Sequence, residues 1–190
     1  MKTILDNFML NEVPGLINKG YIDNEYGLQF ELGCFLRNQG FDVFFEKNIS
    51  SYNLKSNIKH EIDLVVSDKK SNKYAIEIKY SRKKDGAKEQ KWEMLKDVAF
   101  IDELKNNNNS KFNNTYAITL ANDDFLQTLV KNTNAYNNIF GGANGGINHS
   151  NYTYTKITKK GTPVLYNVPD FNTNWISLKS IAGSYYIVEK

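Results

Sequence analysis

The chain has 190 residues, 41% hydrophobic, 13% aromatic and 24% charged, which is enough apolar content for one buried core and too short for two ordinary domains. Its 24 Lys and Arg against 21 Asp and Glu leave a formal +3, a balance that permits a polyanionic partner but does not resemble a packaging protein or an extended basic tail. One cysteine, Cys34, and two histidines, His60 and His149, exclude an intrachain disulfide and a closed Cys/His zinc site, so any metal would have to be held by oxygen.

No apolar run approaches the ~20 residues of a spanning helix, and residues 1–15 carry acids and lack an apolar signal core. The expectation is a cytoplasmic protein with no membrane partner. Residues 21–39 read as a helix: Glu25, Leu28, Leu32 and Leu36 recur at three- and four-residue steps, Asp23 or Asn24 can cap the start, and Gly40 suits the stop. Residues 41–46 read as a strand and 53–59 as a polar loop. Residues 61–67 and 73–80 then read as two strands of a hairpin turning through Asp68 to Asn72. Residues 88–105 have helical spacing, with Met94, Leu95, Val98, Ile101 and Leu104 on a broad apolar stripe that ends at a polar run, 106–110. A core strand at 116–120 and a short helix at 123–131 follow. The glycine-rich stretch 141–146 has no Lys-Ser/Thr after it, so it is a connection and not a phosphate-cradling loop. Residues 152–190 read as short strands and turns rich in tyrosine. These elements predict an α/β fold in a single domain spanning 1–190. Its core is a central mixed β-sheet flanked by helices at about 21–120, and a β-rich C-terminal extension covers about 140–190.

The chemistry concentrates in the hairpin. In His60-Glu61-Ile62-Asp63-Leu64-Val65-Val66, strand alternation puts Glu61 and Asp63 on one face and Ile62, Leu64 and Val66 on the other. In Tyr74-Ala75-Ile76-Glu77-Ile78-Lys79-Tyr80, Glu77 and Lys79 share a face opposite Ile76, Ile78 and Tyr80. Pairing the two strands lets Asp63, Glu77 and Lys79 converge. Two close carboxylates repel unless a cation lies between them, and hard oxygen donors suit Mg2+ or Mn2+. The alternative is a solvated sheet face on which Asp63 or Glu77 pairs across strands with Lys79.

Asp63 and the triplet Glu77-Ile78-Lys79 resemble the site of the PD-(D/E)XK phosphodiesterases, the restriction-endonuclease-like superfamily, with Ile62 where the family often has proline. The resemblance covers about residues 21–120, in the order helix, strand, hairpin, helix, strand. It implies Asp63, Glu77 and the Ile78 carbonyl as metal ligands and Lys79 as the group that orients or helps deprotonate water. It also implies a glutamate from the preceding helix, for which Glu25 and Glu31 are both candidates, and a glutamine from the following helix, Gln90. The implied activity is Mg2+-dependent (or Mn2+-dependent) hydrolysis of a nucleic-acid phosphodiester, as in a DNA endonuclease of restriction, repair or defence against foreign DNA.

Residues 79–96 hold seven basic and three acidic side chains, a local +4. Arg82, Lys83, Lys84 and Lys88 within this run are candidates for holding the nucleic-acid backbone, against the alternative of a solvated turn. Residues 151–190 carry five lysines against Asp170 and Glu189, so the first 150 residues are neutral. Nucleic acid, with DNA foremost, is the expected partner. Nucleases of this fold often dimerise to cut both strands, so a homodimer is allowed. A non-catalytic nucleic-acid- or protein-binding module on the same fold is the competing reading.

Overall fold

The computed structural model describes residues 1–82, 87–130, 148–149, 152–157 and 163–190. An amino-terminal helical run, not among the elements expected from the sequence, opens the chain: α1 (Lys2–Asn7), a π-helical turn (Phe8–Glu12) and α2 (Val13–Asn18). The wide turn precedes Pro14, whose missing N–H and ring interrupt a regular helical ladder, so the helix bends without ending. Leu5, Phe8, Met9 and Val13 from this run are fully buried.

Helix α3 (Glu25–Asn38) starts where Asn24 Oδ1 accepts the Gly27 N–H at 2.8 Å and ends before Gly40, whose φ of +86° turns the chain out. Strand β1 (Asp42–Asn48) follows, then a 3-10 turn (Ile49–Tyr52) and an irregular segment to residue 60. The hairpin is β2 (Glu61–Ser67) and β3 (Lys73–Ser81), and α4 (Ala87–Asn106) crosses over to β4 (Asn114–Asn122). The remainder is α5 (Asp123–Val130), β5 (Asn148–His149), β6 (Tyr152–Ile157), β7 (Pro163–Val168), β8 (Phe171–Asn172), β9 (Ile176–Ser177) and β10 (Gly183–Glu189). The glycine-rich connection expected at 141–146 lies outside the described residues.

The fold is α/β with one mixed six-stranded sheet, ordered β1-β2-β3-β4-β10-β9. Among the described strands of this sheet only β3 and β4 pair in parallel, as a helical crossover requires, and the other neighbours are antiparallel. Strand β10 brings the C-terminal segment back into the central sheet, while β5 pairs β8 and β6 pairs β7 in two small ribbons.

Alternation along the strands divides the core. Leu64, Val66, Ile76, Ile78, Ile118 and Leu120 pack against Leu28, Leu32 and Leu36 of α3 and against the amino-terminal run. Val65 and Ala75 face Phe100 and Leu104 of α4, and Ala117 and Ala121 face Met94, Leu95 and Val98. Helix α3 lies close on β1 because residue 33 is glycine: a Cβ there would collide with the Phe45 ring.

Strict alternation fails at one place. Ile62 was expected beside Leu64 and Val66, yet it joins Val65 and Ala75 on the α4 side. The break falls at Asp63, and on β1 the facing residue, Glu46, has φ +48°. Alternation assumes continuous ladders on both sides of a strand, and here they are interrupted.

Candidate active site

The β2–β3 ladder runs from Ser67 and Lys73 to Leu64 and Ile76 and stops there. The next residues in that register are Asp63 and Glu77, and their side chains replace the missing backbone bonds. Ile78 N–H donates to Asp63 Oδ2 at 2.7 Å, and Asp63 N–H donates to Glu77 Oε1 at 3.3 Å. Each carboxylate thus commits one oxygen to the opposite strand. The other oxygen of each turns to a single cation, the Lys59 ammonium, which lies 3.7 Å from Asp63 Oδ1 and bonds Glu77 Oε2. Asp97, from α4, completes the cluster with its Oδ1 at 3.3 Å from the same nitrogen.

A second pair stands beside this one. Lys79 Nζ lies 3.0 Å from Glu25 Oε2, and the Tyr80 N–H donates to that oxygen at 3.3 Å. Glu25 is the first residue of α3, so the helix start adds its own partial positive charge to hold the carboxylate there. Of the two glutamates that the spacing left open, Glu25 therefore meets the hairpin. Glu31 is half-buried and has no hydrogen bond or ion pair to Asp63, Glu77 or Lys79 among the described residues. Gln90 lies half-buried in the first turn of α4, and its seven-residue step to Asp97 puts both on one side of that helix. Ile78 contributes its N–H to Asp63 and its side chain to the core.

The basic run is described only in part. Arg82 is exposed, with its guanidinium 5.6 Å from the Tyr80 ring centroid. Lys83 and Lys84 lie outside the described residues, and Lys88 is described only as part of the α4 backbone.

Burial makes this arrangement costly for its charges. Glu77 is fully buried and Asp97 is 5% exposed. Desolvation, reinforced by Asp63 acting on Glu77, drives the Glu77 carboxyl well above its usual range, and desolvation raises Asp97 as well, with Lys59 opposing both shifts. Asp63 is pushed up to about 6, first by burial and then by Asp97, against the pull of Lys59. Lys59 and Lys79 are both raised: burial pulls each down, but the carboxylates around them outweigh it. Both lysines are therefore ammonium ions in this constellation.

Four groups of the site escape sequence reading. Lys59 sits in the segment read as a loop. Asp97 occupies a position three residues from Met94 and four from Ile101, so an acid on the apolar stripe of α4 was the available signal. Gln29 gave the same kind of signal on α3, four residues from Glu25 and three from Leu32. It is 6% exposed, and its Nε2 donates to the Asp63 carbonyl at 2.8 Å and to Glu46 Oε1 at 2.7 Å. Gln29 and Glu46 thus hold the backbone of Asp63 from behind. Ser56 ties the irregular segment to α4 through a 2.5 Å hydrogen bond to Glu103.

An open cleft of about 430 Å³ adjoins the cluster, lined by Glu46, Ile58, Lys59, His60, Glu61, Asp63 and Lys96. Among the described residues no group of three or more His, Cys, Asp or Glu side chains is disposed to hold a metal ion. The donor chemistry still fits a hard divalent cation bound in the manner of Mg2+, through one or two carboxylates with water filling the remaining positions. Asp63 and Glu77 already direct one oxygen each at a common positive charge, the Lys59 ammonium.

No described helix is long and apolar enough to cross a membrane. Neither the models of known protein families, nor the curated proteins, nor the solved structures offer a match to this chain.

Proposed function

We propose that this protein is a divalent-metal-dependent phosphodiesterase of the PD-(D/E)XK type, acting on nucleic acid and most simply on DNA as an endonuclease. The observation that carries the reading is the convergence of Asp63 and Glu77 on one cation at the point where the β2–β3 ladder ends, with the Lys79–Glu25 pair beside them. A purely structural sheet would place apolar or hydroxyl side chains at these positions, because buried carboxylates raised by desolvation destabilise the fold unless something uses their charge.

In this reading Asp63 and Glu77 would hold Mg2+ or Mn2+, which would supply an acidified water and offset charge on the phosphoryl oxygens. Asp63 and Glu77 keep their second oxygens on the Ile78 and Asp63 amides, so both carboxylates are oriented before any ligand arrives. Lys79, held as an ammonium by Asp97 and Glu25, neutralises the phosphodiester and positions the attacking water; it is not a free amine waiting to take a proton. Glu25 fixes Lys79 in place and reaches the Tyr80 amide. Arg82 would follow the flanking backbone as a phosphate contact.

The test is incubation of the purified protein with plasmid, single-stranded DNA and RNA in Mg2+, in Mn2+ and in chelator. Cleavage dependent on metal and lost in Asp63→Ala is the expected result. Retained nucleic-acid binding with no cleavage of any substrate in either metal would instead make this a binding module.

A further inference from the structure

We propose that Lys59 is the resident counter-ion of the carboxylate site and that a divalent metal enters by exchange with its ammonium. The inference rests on the metal-site reading above and adds to it a residue that competes with the metal.

Three observations carry it. First, the Lys59 ammonium contacts the very oxygens that the backbone leaves free, Asp63 Oδ1 and Glu77 Oε2, so a metal on those oxygens and the ammonium cannot share the position. Second, Asp63, Glu77 and Asp97 all lie on the one Lys59 ammonium, so exchanging that single charge for a divalent ion sets a larger positive charge against the same carboxylates. Third, the Lys59 side chain has an exit beside it. It lies in an irregular segment with no strand ladder to break, its side chain is 22% exposed, and it lines the open cleft beside the cluster. Withdrawal of the side chain leaves intact the Ser56–Glu103 bond that anchors the segment.

A metal therefore meets an ion pair already formed, and breaking that pair costs part of the affinity two carboxylates would otherwise give. The ammonium keeps buried Glu77 and Asp97 and half-buried Asp63 compatible with folding until the metal arrives, and selects against cations that bind too weakly to displace it.

The experiment measures Mn2+ affinity of the full chain by titration calorimetry, together with the Mn2+-dependent rise in thermal midpoint, for the parent protein, Lys59→Met and Lys59→Arg. Lys59→Met keeps the length of the side chain without its charge and should bind Mn2+ roughly tenfold more tightly, whereas Lys59→Arg, which retains a cation, should bind no more tightly than the parent. Should Lys59→Met be poorly folded in chelator, recovery of its thermal midpoint on adding Mn2+ gives the same answer. Equal or weaker Mn2+ affinity in Lys59→Met overturns the exchange while leaving the metal site standing. Absence of Mn2+ binding in both folded proteins, or a gain in Lys59→Met that survives Asp63→Asn, overturns the metal site itself.

Discussion

Asp63 and Asp68 stand five residues apart at the two ends of one hairpin, and their surroundings are opposite. Asp68 is at the turn, where its carboxylate accepts from the Lys70 and Asn72 amides at 2.8 and 2.9 Å and from the Asn72 side chain at 2.8 Å. The Asn72 side-chain bond is foremost among the contacts that hold the Asp68 carboxyl below its usual value. Asp68 is satisfied by residues within six positions of itself, Tyr74 included, and shapes a turn in which Ser71 takes φ +64°. Asp63 is half-buried, is raised to about 6, and is kept in place by Gln29 of α3 and Ile78 of β3, 34 and 15 residues away, as well as by nearby Lys59. An acid lowered by local bonds stabilises its own loop. An acid raised by burial and supported from distant parts of the chain is held against its own solvation, which makes it a candidate for function.

Cleavage should separate the two most strongly. Asp63→Asn is expected to reduce the metal-dependent cleavage rate by roughly 10³-fold and Asp68→Asn to leave it at the parent level; equal losses in both would end the distinction. The pH dependence of stability comes next. A carboxyl raised on folding binds more protons in the native state, so its contribution falls as pH rises from the unfolded value towards about 6. In chelator, the parent should lose stability across that window, by at most about 3 kcal/mol from Asp63, and urea titrations of Asp63→Asn should show a smaller loss, the remainder belonging to Glu77 and Asp97. Asp68 has the opposite sign: its contribution is present above the unfolded value and is lost on acidification, so Asp68→Asn should flatten the acid limb.

Gln29→Ala should cost about 1 to 2 kcal/mol by denaturant melts, because the buried Asp63 carbonyl and the Glu46 carboxylate lose a donor. As a positioning residue it should lower kcat with little change in KM, and a Gln29→Ala enzyme with parental kcat would show that Asp63 needs no support from behind. The smallest effect is expected from Asp68→Ala, a lowered thermal midpoint with cleavage unchanged.

Much of the frame was legible along the chain. The α3 and α4 stripes, the hairpin and its turn, and strands β1 and β4 follow from local periodicity, because burial of one face repeats at a fixed step. The amino-terminal helical run was not legible: its apolar residues are broken by a π-turn and Pro14, so no single period describes them. The site was legible in part. The acid-x-lysine triplet and Asp63 stand out as charges among aliphatic neighbours, but helical spacing could not choose between Glu25 and Glu31. The choice turns on which end of α3 meets β3, and spacing says nothing about that.

From residue 21 to the end of β4 the sequence by itself determined the element types, the hairpin and the presence of two acids and a lysine within it, since these depend on near neighbours. Tertiary structure alone decided that Asp63 leaves the strand's alternation, that Glu25 is the partner of Lys79, and that Lys59 and Asp97 join the carboxylates. Each of these depends on residues far apart in sequence brought together at the end of one ladder, where side chains replace the backbone bonds that a continuous sheet would have made.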